Sequence, residues 1–166
     1  MKFSNLTTDH LFLRELLPED AEQIFRLRTD ERVNALIGRQ NASSIDDAHN
    51  FIRMIQGKAE TGESVFWALT LIGQNKLIGT ILYWRIDWEN HKAELGYEML
   101  PEYQGQGLMT EALKSVIEFG FEELKFKVIT AEPNERNSKS IRLLEKLDFK
   151  LTGRDGDYLI YGLSIS

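Results

Sequence analysis

The sequence predicts an α/β (α+β) fold in which a mixed, mostly antiparallel central sheet is flanked by helices. Residues 65–72, 76–86 and 92–100 are rich in β-branched and aromatic residues and are separated by turn signals, which predicts three consecutive antiparallel strands. Beyond residue 104, helical and strand-like segments alternate, and this order favours a mixed sheet covered by helices. Because 166 residues suffice for about one domain, we expect residues 1–166 to form a single domain.

The N-terminal elements are predicted from proline, capping and periodicity signals. Residues 11–16 form a strand pattern, and Pro18 then begins a helix, where its missing N–H costs nothing. Ser44 followed by Asp47 resembles a capping box and predicts a second helix that ends between residues 57 and 62. Helical spacing predicts the buried positions of these two helices, which are Ala21, Ile24 and Leu27 in the first and Ala48, Phe51, Ile52 and Ile55 in the second.

The C-terminal elements begin with an amphipathic helix over residues 108–124. A short strand at residues 128–131, a helix over residues 138–147, and a closing pair of strands at residues 149–152 and 158–163 follow it. The predicted buried side of the first of these helices consists of Leu108, Ala112, Leu113, Val116, Ile117, Gly120 and Leu124.

Composition excludes several classes of function. The net charge is −6 and the basic residues are scattered, so nucleic acid is not an expected partner. No apolar run reaches the roughly 20 residues that span a membrane. The chain has no cysteine, and its 3 histidines lie far apart, so we expect neither a thiolate nucleophile nor a metal site. We expect a cytoplasmic protein without a membrane partner.

The most informative segment is Pro101–Glu111, in which a glycine-containing loop joins a predicted strand to a predicted helix. Such a loop can offer backbone N–H groups to a phosphate, at the positive end of the helix dipole. The segment is not a Walker A loop, because no Gly-Lys-Ser/Thr follows, and it lacks the third glycine of the dinucleotide fingerprint. Taken alone, Gly105-x-Gly107 is equally compatible with an ordinary tight turn.

The segment Gln104-Gly105-Gln106-Gly107-Leu108-Met109 resembles the acyl-CoA pyrophosphate loop of the GNAT acetyltransferases, Gln/Arg-x-x-Gly-x-Gly/Ala, with Met109 departing at the last position. The longer string through Thr110-Glu111-Ala112 is similar to the branch of ribosomal-protein N-terminal acetyltransferases. The same branch is matched by residues 8–14 and 18–21 and by Asn134-x-x-Asn137-x-x-Ser140, although Asp148 stands where a glycine is usual. The resemblance spans nearly the whole chain.

The resemblance implies acetyl-CoA as co-substrate and no metal. It implies that the 104–110 loop binds the pyrophosphate, that the backbone of Met99 and Leu100 pairs with the pantetheine arm, and that Asn134 and Asn137 lie beside that arm. Asn137 is equally suited to cap a helix, and Asn134 to form a turn after Pro133. The candidate cofactor-binding residues are therefore Met99, Leu100, Gln104, Gly105, Gln106, Gly107, Leu108, Met109, Thr110, Asn134 and Asn137.

Two residues are candidates for catalysis. Glu94 matches the strand carboxylate that serves as base in many members of the family, and Ser140 matches the position that protonates the departing CoA thiolate. Tyr103 is a weaker candidate for the second role, because it precedes the loop. On a regular strand Glu94 and Glu98 share one face, opposite Tyr97 and Met99, and the two carboxylates lie about 13 Å apart. A simple alternative is that both carboxylates are merely exposed. A first-turn helix serine is likewise the simple alternative for Ser140.

These residues predict an acetyl-CoA-dependent N-acetyltransferase that acts directly on a primary amine. The resembled branch acts on protein N-termini, which makes an N-terminal α-amine the leading acceptor. An α-amine, with a pKa near 8, is also easier to neutralise than a lysine amine near 10.4, so a modest base suffices for it. A small amine such as a polyamine or aminoglycoside, a non-catalytic acyl-CoA sensor, and a domain whose loop binds nothing remain alternatives. The tryptophans near the central strands are core residues or, alternatively, a wall for the amine. We expect a monomer or a homodimer.

Overall fold

The computed structural model describes residues 4–35, 37, 39 and 41–165. Its strands are β1 (Leu6–Thr7), β2 (Leu11–Arg14), β3 (Val65–Leu71), β4 (Leu77–Asp87), β5 (Lys92–Met99), β6 (Val128–Ala131), β7 (Lys150–Asp155) and β8 (Tyr158–Ser164). Its α-helices are α1 (Ala21–Thr29), α2 (Glu31–Asn34), α3 (Ile45–Thr61), α4 (Leu108–Glu122) and α5 (Ser138–Lys146).

The described strands form one 8-stranded sheet in the order β1-β2-β3-β4-β5-β6-β8-β7. Neighbouring strands are antiparallel except for β5 and β6, which run parallel. The predicted fold class is confirmed. The position of β8 between β6 and β7 was not predicted, because sequence order alone does not specify which strand of the closing pair joins the sheet.

The N-terminal elements differ in detail from the sequence prediction. The strand β2 ends at Arg14, and Pro18–Asp20 forms a single 3₁₀ turn before α1. The short helix α2 was missed, although its N-cap is strong, because the Asp30 carboxylate accepts hydrogen bonds from the backbone N–H groups of Arg32 and Val33. A four-residue helix carries too little periodicity to be recognised.

The capping signals of α3 are confirmed with one change. Ser44 Oγ accepts a hydrogen bond from the Asp47 N–H at 3.3 Å. The Asp47 carboxylate accepts from the N–H and the hydroxyl of Ser43 at 2.8 Å, so the reciprocal half of the box extends to the residue before the cap. The helix ends at Gly62, whose φ of 77° is the left-handed conformation typical of a helix C-terminus.

The sheet separates two hydrophobic clusters. One cluster lies between the sheet and α4 with α5, and it includes Trp67, Tyr83 and Phe126. The other lies between the opposite face and α1 with α3, and it includes Ile24 and Ile52. The predicted inner faces of α1 and α3 are confirmed as buried, except that Phe51 of α3 is half-buried. Among the described helices, none is long and apolar enough to cross a bilayer.

Candidate active site

The site lies where β5 and β6 diverge. The two strands are paired only over Lys92–Glu94 and Val128–Thr130, so the last residues of β5 have no strand on that side. The Leu100 N–H donates to the Ile78 carbonyl oxygen at 2.9 Å, so these two residues form a hydrogen-bonded pair between β5 and β4. The next pair, Gly79 and Met99, is therefore a non-hydrogen-bonded pair, and the backbone N–H and C=O of Met99 point away from β4. The same alternation directs the backbone of Tyr97 and Met99 into the gap beside β6.

The loop predicted to bind phosphate leads from this gap into α4. Gly105 and Gly107 both have φ of 78°, a conformation that other residues rarely adopt. Residues 104–107 are exposed. The first intrahelical bond of α4 runs from the Glu111 N–H to the Gly107 carbonyl, and no side chain caps the helix, so the N–H groups of its first turn have no intrahelical acceptor. The backbone of the loop can therefore come close to a bound group, and it lies at the end of a helix whose dipole favours an anion.

Other contacts hold the loop and α4 in place. Both carboxylate oxygens of Glu102 accept from Arg26 of α1 at 2.9 Å. At the start of α4, the Glu111 carboxylate accepts from the Thr8 hydroxyl and the His10 backbone N–H and contacts the His10 ring. These contacts tie the loop to α1 and to the connection between β1 and β2.

Among the predicted cofactor-binding residues, Gln104 and Leu100 make hydrogen bonds within the protein at the end of β5. Gln104 Nε2 donates to the Met99 carbonyl oxygen at 2.8 Å, so its side chain holds the loop against the end of β5. The Leu100 N–H donates to Ile78 and its carbonyl accepts from the Tyr103 N–H at 3.0 Å. Met99 and Leu100 were both predicted to pair with the pantetheine arm. The N–H of Met99 faces the gap, whereas the N–H of Leu100 is bonded to β4.

Glu94 lies in the last β5 pair before the divergence, and it is 8% exposed. Its Oε1 accepts from Arg85 Nη1 at 3.2 Å, and Arg85 Nη1 lies 4.0 Å from Glu132 Oε2. Burial, a hydrogen bond with Glu132 and repulsion from that carboxylate raise the pKa of Glu94 to about 7, while Arg85 opposes the rise. A base with this pKa is half ionised near neutral pH, as acid–base catalysis requires.

Ser140 is joined to a residue that the sequence analysis missed. The Tyr97 hydroxyl and Ser140 Oγ form a short hydrogen bond between β5 and the first turn of α5. Burial raises the pKa of Tyr97 to about 12, with the Ser140 bond opposing it, so the phenol stays protonated at physiological pH. Strand alternation had placed Tyr97 beside Met99, and this was the signal that could have identified it. Tyr103, the weaker candidate, packs between the two clusters.

Asn134 and Asn137 both have structural roles at the β6–α5 connection. Asn137 caps α5, because its Oδ1 accepts from the Ser140 N–H at 3.2 Å. Asn134 is 7% exposed, and its Oδ1 accepts from the Arg136 N–H at 2.9 Å, which forms the predicted turn. Both residues lie between the end of β6 and the start of α5, which is the segment that flanks the gap.

The other carboxylate of β5 has a structural partner. Glu98 accepts two hydrogen bonds from Arg39, at 2.6 and 3.2 Å, and Arg39 also bonds to Asn34 and the Leu27 carbonyl. The simple alternative that Glu94 and Glu98 are exposed strand positions is therefore wrong for both. Glu98 anchors the connection after α2, whereas Glu94 faces Arg85 and Glu132.

Most of the aromatic residues near the central strands belong to the core. Trp67 and Tyr83 are fully buried, and Trp88 Nε1 donates to the Gly62 carbonyl at 2.8 Å. Trp84 is the exception, since it is 37% exposed and directly opposite Glu94 in the strand register. An aromatic wall beside the candidate base is thus limited to Trp84.

A family profile described as Acetyltransferase (GNAT) domain matches residues 10–150. The chain belongs to the GNAT acetyltransferase family. The match includes β5, the phosphate loop, α4, β6 and α5, so each element of the site described above lies within the family domain.

Relatives of this GNAT acetyltransferase are N-acetyltransferases. The chain is 32% identical over 151 residues to the uncharacterized N-acetyltransferase YoaA of Bacillus subtilis (strain 168), covering 91% of this chain and 85% of that protein. It is 29% identical over 162 residues to YdaF of the same organism, whose name assigns it provisionally to the ribosomal N-acetyltransferases; this match covers 95% of this chain and 88% of YdaF.

A solved structure supports the fold over the whole length. RimL, a ribosomal L7/L12 α-N-protein acetyltransferase in complex with coenzyme A, superposes with a TM-score of 0.85 at 18% identity and covers 98% of both chains. Within the described residues, no group of histidine, aspartate or glutamate side chains is arranged to hold a metal ion.

Proposed function

We propose that this GNAT enzyme transfers acetyl from acetyl-CoA directly to the α-amine of a protein N-terminus. The observation that carries the proposal is the buried Glu94 carboxyl group at the divergence of β5 and β6, with a pKa of about 7. The provisional name of YdaF and the full-length likeness to RimL support the choice of acceptor.

The acceptor preference follows from matching pKa values. Moving a proton from an α-ammonium group with a pKa near 8 to Glu94 costs about 1.4 kcal/mol, whereas a lysine ammonium near 10.4 costs about 4.6 kcal/mol. Glu94 therefore neutralises an N-terminal amine far more readily than a lysine side chain.

The donor would enter the gap between β5 and β6 in an extended form. The first-turn N–H groups of α4 and the backbone of residues 104–107 would bind the pyrophosphate. The Met99 N–H, which points into the gap, would hydrogen-bond to the thioester oxygen and stabilise the charge that develops there. These contacts would put the thioester between Glu94 on one face of the sheet and Tyr97 on the other.

The proposed acetyl transfer forms no covalent bond between the acetyl group and the enzyme. Glu94 takes one proton from the ammonium group and later releases it to water. The neutral nitrogen attacks the thioester carbon, and the C–S bond breaks as the oxyanion collapses. Tyr97 gives its proton to the departing thiolate. It recovers one, through Ser140, from the nitrogen, which is positively charged after its attack and becomes the neutral amide nitrogen when it loses that proton. The products are the acetylated amine, CoA and one released proton.

A small polycationic amine is the second candidate acceptor, because Glu94 and Glu132 together attract cations. The test is acetyl-CoA-dependent thiol release with a free-N-terminal peptide, the same peptide N-blocked but containing lysine, spermidine and an aminoglycoside. Glu94→Gln is compared with Glu122→Gln, an exposed carboxylate near the end of α4.

We expect turnover with the free N-terminus alone, a loss of about 100-fold or more in Glu94→Gln, and wild-type rates in Glu122→Gln. Turnover restricted to spermidine or the aminoglycoside would overturn the acceptor. Binding of acetyl-CoA without release of thiol from any amine would indicate a sensor instead.

A further inference from the structure

Arg85 lies on the face of the sheet that carries Glu94 because of a bulge in β4. The register runs from Trp84 opposite Glu94 to Asp87 opposite Lys92, so two residues of β4 oppose one residue of β5. Arg85 is the first of these two residues of β4, and its φ is 47°. On a regular strand residues 84 and 85 would point to opposite faces, yet the Arg85 guanidinium stands 4.3 Å from the centre of the Trp84 ring.

The guanidinium hydrogen-bonds to one of the two carboxylate oxygens of Glu94. Its Nη1 lies 3.2 Å from Glu94 Oε1, and the Glu94 side chain is only 11% exposed, so little of that carboxylate is left open to an incoming amine. Arg85 itself is 62% exposed and is therefore free to move. An incoming amine must compete with Arg85 for this oxygen.

Glu132 offers Arg85 a second partner. Its Oε2 lies 4.0 Å from the same Nη1, at the outer limit of an ion pair, and its side chain is more exposed than that of Glu94, at 24% against 11%. A small rotation of the guanidinium towards Glu132 would free Glu94 without leaving Arg85 unpaired.

We propose that Arg85 is a positioning residue whose guanidinium lies where the ammonium group of the acceptor binds beside Glu94. When the amine binds, the guanidinium moves to Glu132. This inference rests on the proposed function in taking Glu94 as the residue that the amine meets. The arrangement favours cationic acceptors over neutral ones, because an ammonium group can replace the positive charge that Arg85 places beside the carboxylate. It also keeps the base hydrogen-bonded before the acceptor arrives.

The test measures binding separately from catalysis. The probe is a short peptide with a free N-terminus, titrated calorimetrically into enzyme saturated with CoA, which has no acetyl group to transfer; the N-acetylated peptide is the control ligand. The proteins are the wild type, Arg85→Ala, Arg85→Lys, Glu132→Gln and the double variant Arg85→Ala/Glu132→Gln. Melting curves verify that each variant is folded.

Because an exposed ion pair contributes little, the expected changes in peptide affinity are modest. They are opposite in sign for Arg85→Ala and Glu132→Gln. Arg85→Ala should bind the peptide about two- to fivefold more tightly, and Glu132→Gln about two- to fivefold more weakly. Glu132→Gln should weaken peptide binding less in the Arg85→Ala background than in the wild type, because only the direct effect of Glu132 on Glu94 remains there, and Arg85→Lys should restore wild-type affinity.

Outcomes for this inference and for the proposed function are separable. Weaker binding in both single variants, equal binding in all variants, or no binding of the peptide to any of them would overturn the role of Arg85. Acetyl transfer by the wild type would then still support the proposed function. The opposite-sign pattern without turnover would support the role of Arg85 and overturn the function.

Discussion

Replacement of Glu94 by glutamine should stabilise the protein at alkaline pH while removing its activity. The pKa of Glu94 is about 7 in the folded chain against an ordinary 4.5, so the folded state binds more protons than the unfolded state between these values. Stability contributed by this group is therefore fully present below pH 4.5 and is lost as the pH rises through 7. The difference of about 2.5 in pKa corresponds to about 3 kcal/mol at 1.36 kcal/mol for each pKa unit.

Glutamine has nearly the shape of the protonated carboxyl group and does not ionise. Glu94→Gln and the wild type should accordingly be about equally stable at pH 5, and the variant should be more stable by up to about 3 kcal/mol at pH 8.5. For a chain of this length that is a rise of about 6–12 °C in melting temperature.

The assay is urea unfolding followed by far-UV circular dichroism at pH 5, 6, 7, 8 and 8.5, with Glu122→Gln as the exposed control. The difference in unfolding free energy between Glu94→Gln and the wild type should grow with pH, whereas the difference between Glu122→Gln and the wild type should not change with pH. An advantage that does not change with pH, or one that shrinks between pH 5 and 8.5, would refute the assignment of a raised pKa and with it the argument for Glu94 as base.

Three further variants test the site and the fold. Tyr97→Phe should lower kcat about 10- to 100-fold with little change in the KM for acetyl-CoA, because the departing thiolate loses its donor; a thiol-release assay that found wild-type kcat would remove Tyr97 from the mechanism. Gly120→Ala should destabilise the fold by about 1–3 kcal/mol in urea, since the added methyl group would meet the Tyr83 phenol, whose Cζ lies 2.9 Å from the Cβ position; unchanged stability would contradict this packing. Asp148→Gly should stabilise it by about 0.5 kcal/mol, because residue 148 has φ of 70° after α5, and a lower melting temperature would be the contrary result.

Strand and helix periodicity carried most of the fold prediction. The central strands and the β6 strand were located within one or two residues, since runs of β-branched and aromatic residues are strong in segments that pack on both faces. The two-residue strand β1 and the four-residue helix α2 were missed because such short elements carry no period.

The candidate site was partly predictable for the same reason. Alternation along β5 correctly separated Glu94 and Glu98 from Tyr97 and Met99. It did not indicate which carboxylate has a structural partner, because Arg39 reaches Glu98 from a distant part of the chain. Nor did it join Tyr97 to Ser140, a contact between residues 43 positions apart that exists only once α5 packs on the sheet.

Arg85 shows most clearly where local sequence reasoning ends. Among the described residues, the other non-glycine positions with positive φ are His91, Lys125 and Asp148, which lie in turns or at the end of a helix. Arg85 alone lies inside a strand, and arginine carries no signal for the left-handed conformation. Departures from local preference persist where the surrounding structure enforces them, and they concentrate at functional sites. Here the departure turns a cation towards the carboxylate proposed as the base, where it opposes the rise in the pKa of Glu94 that burial and Glu132 cause.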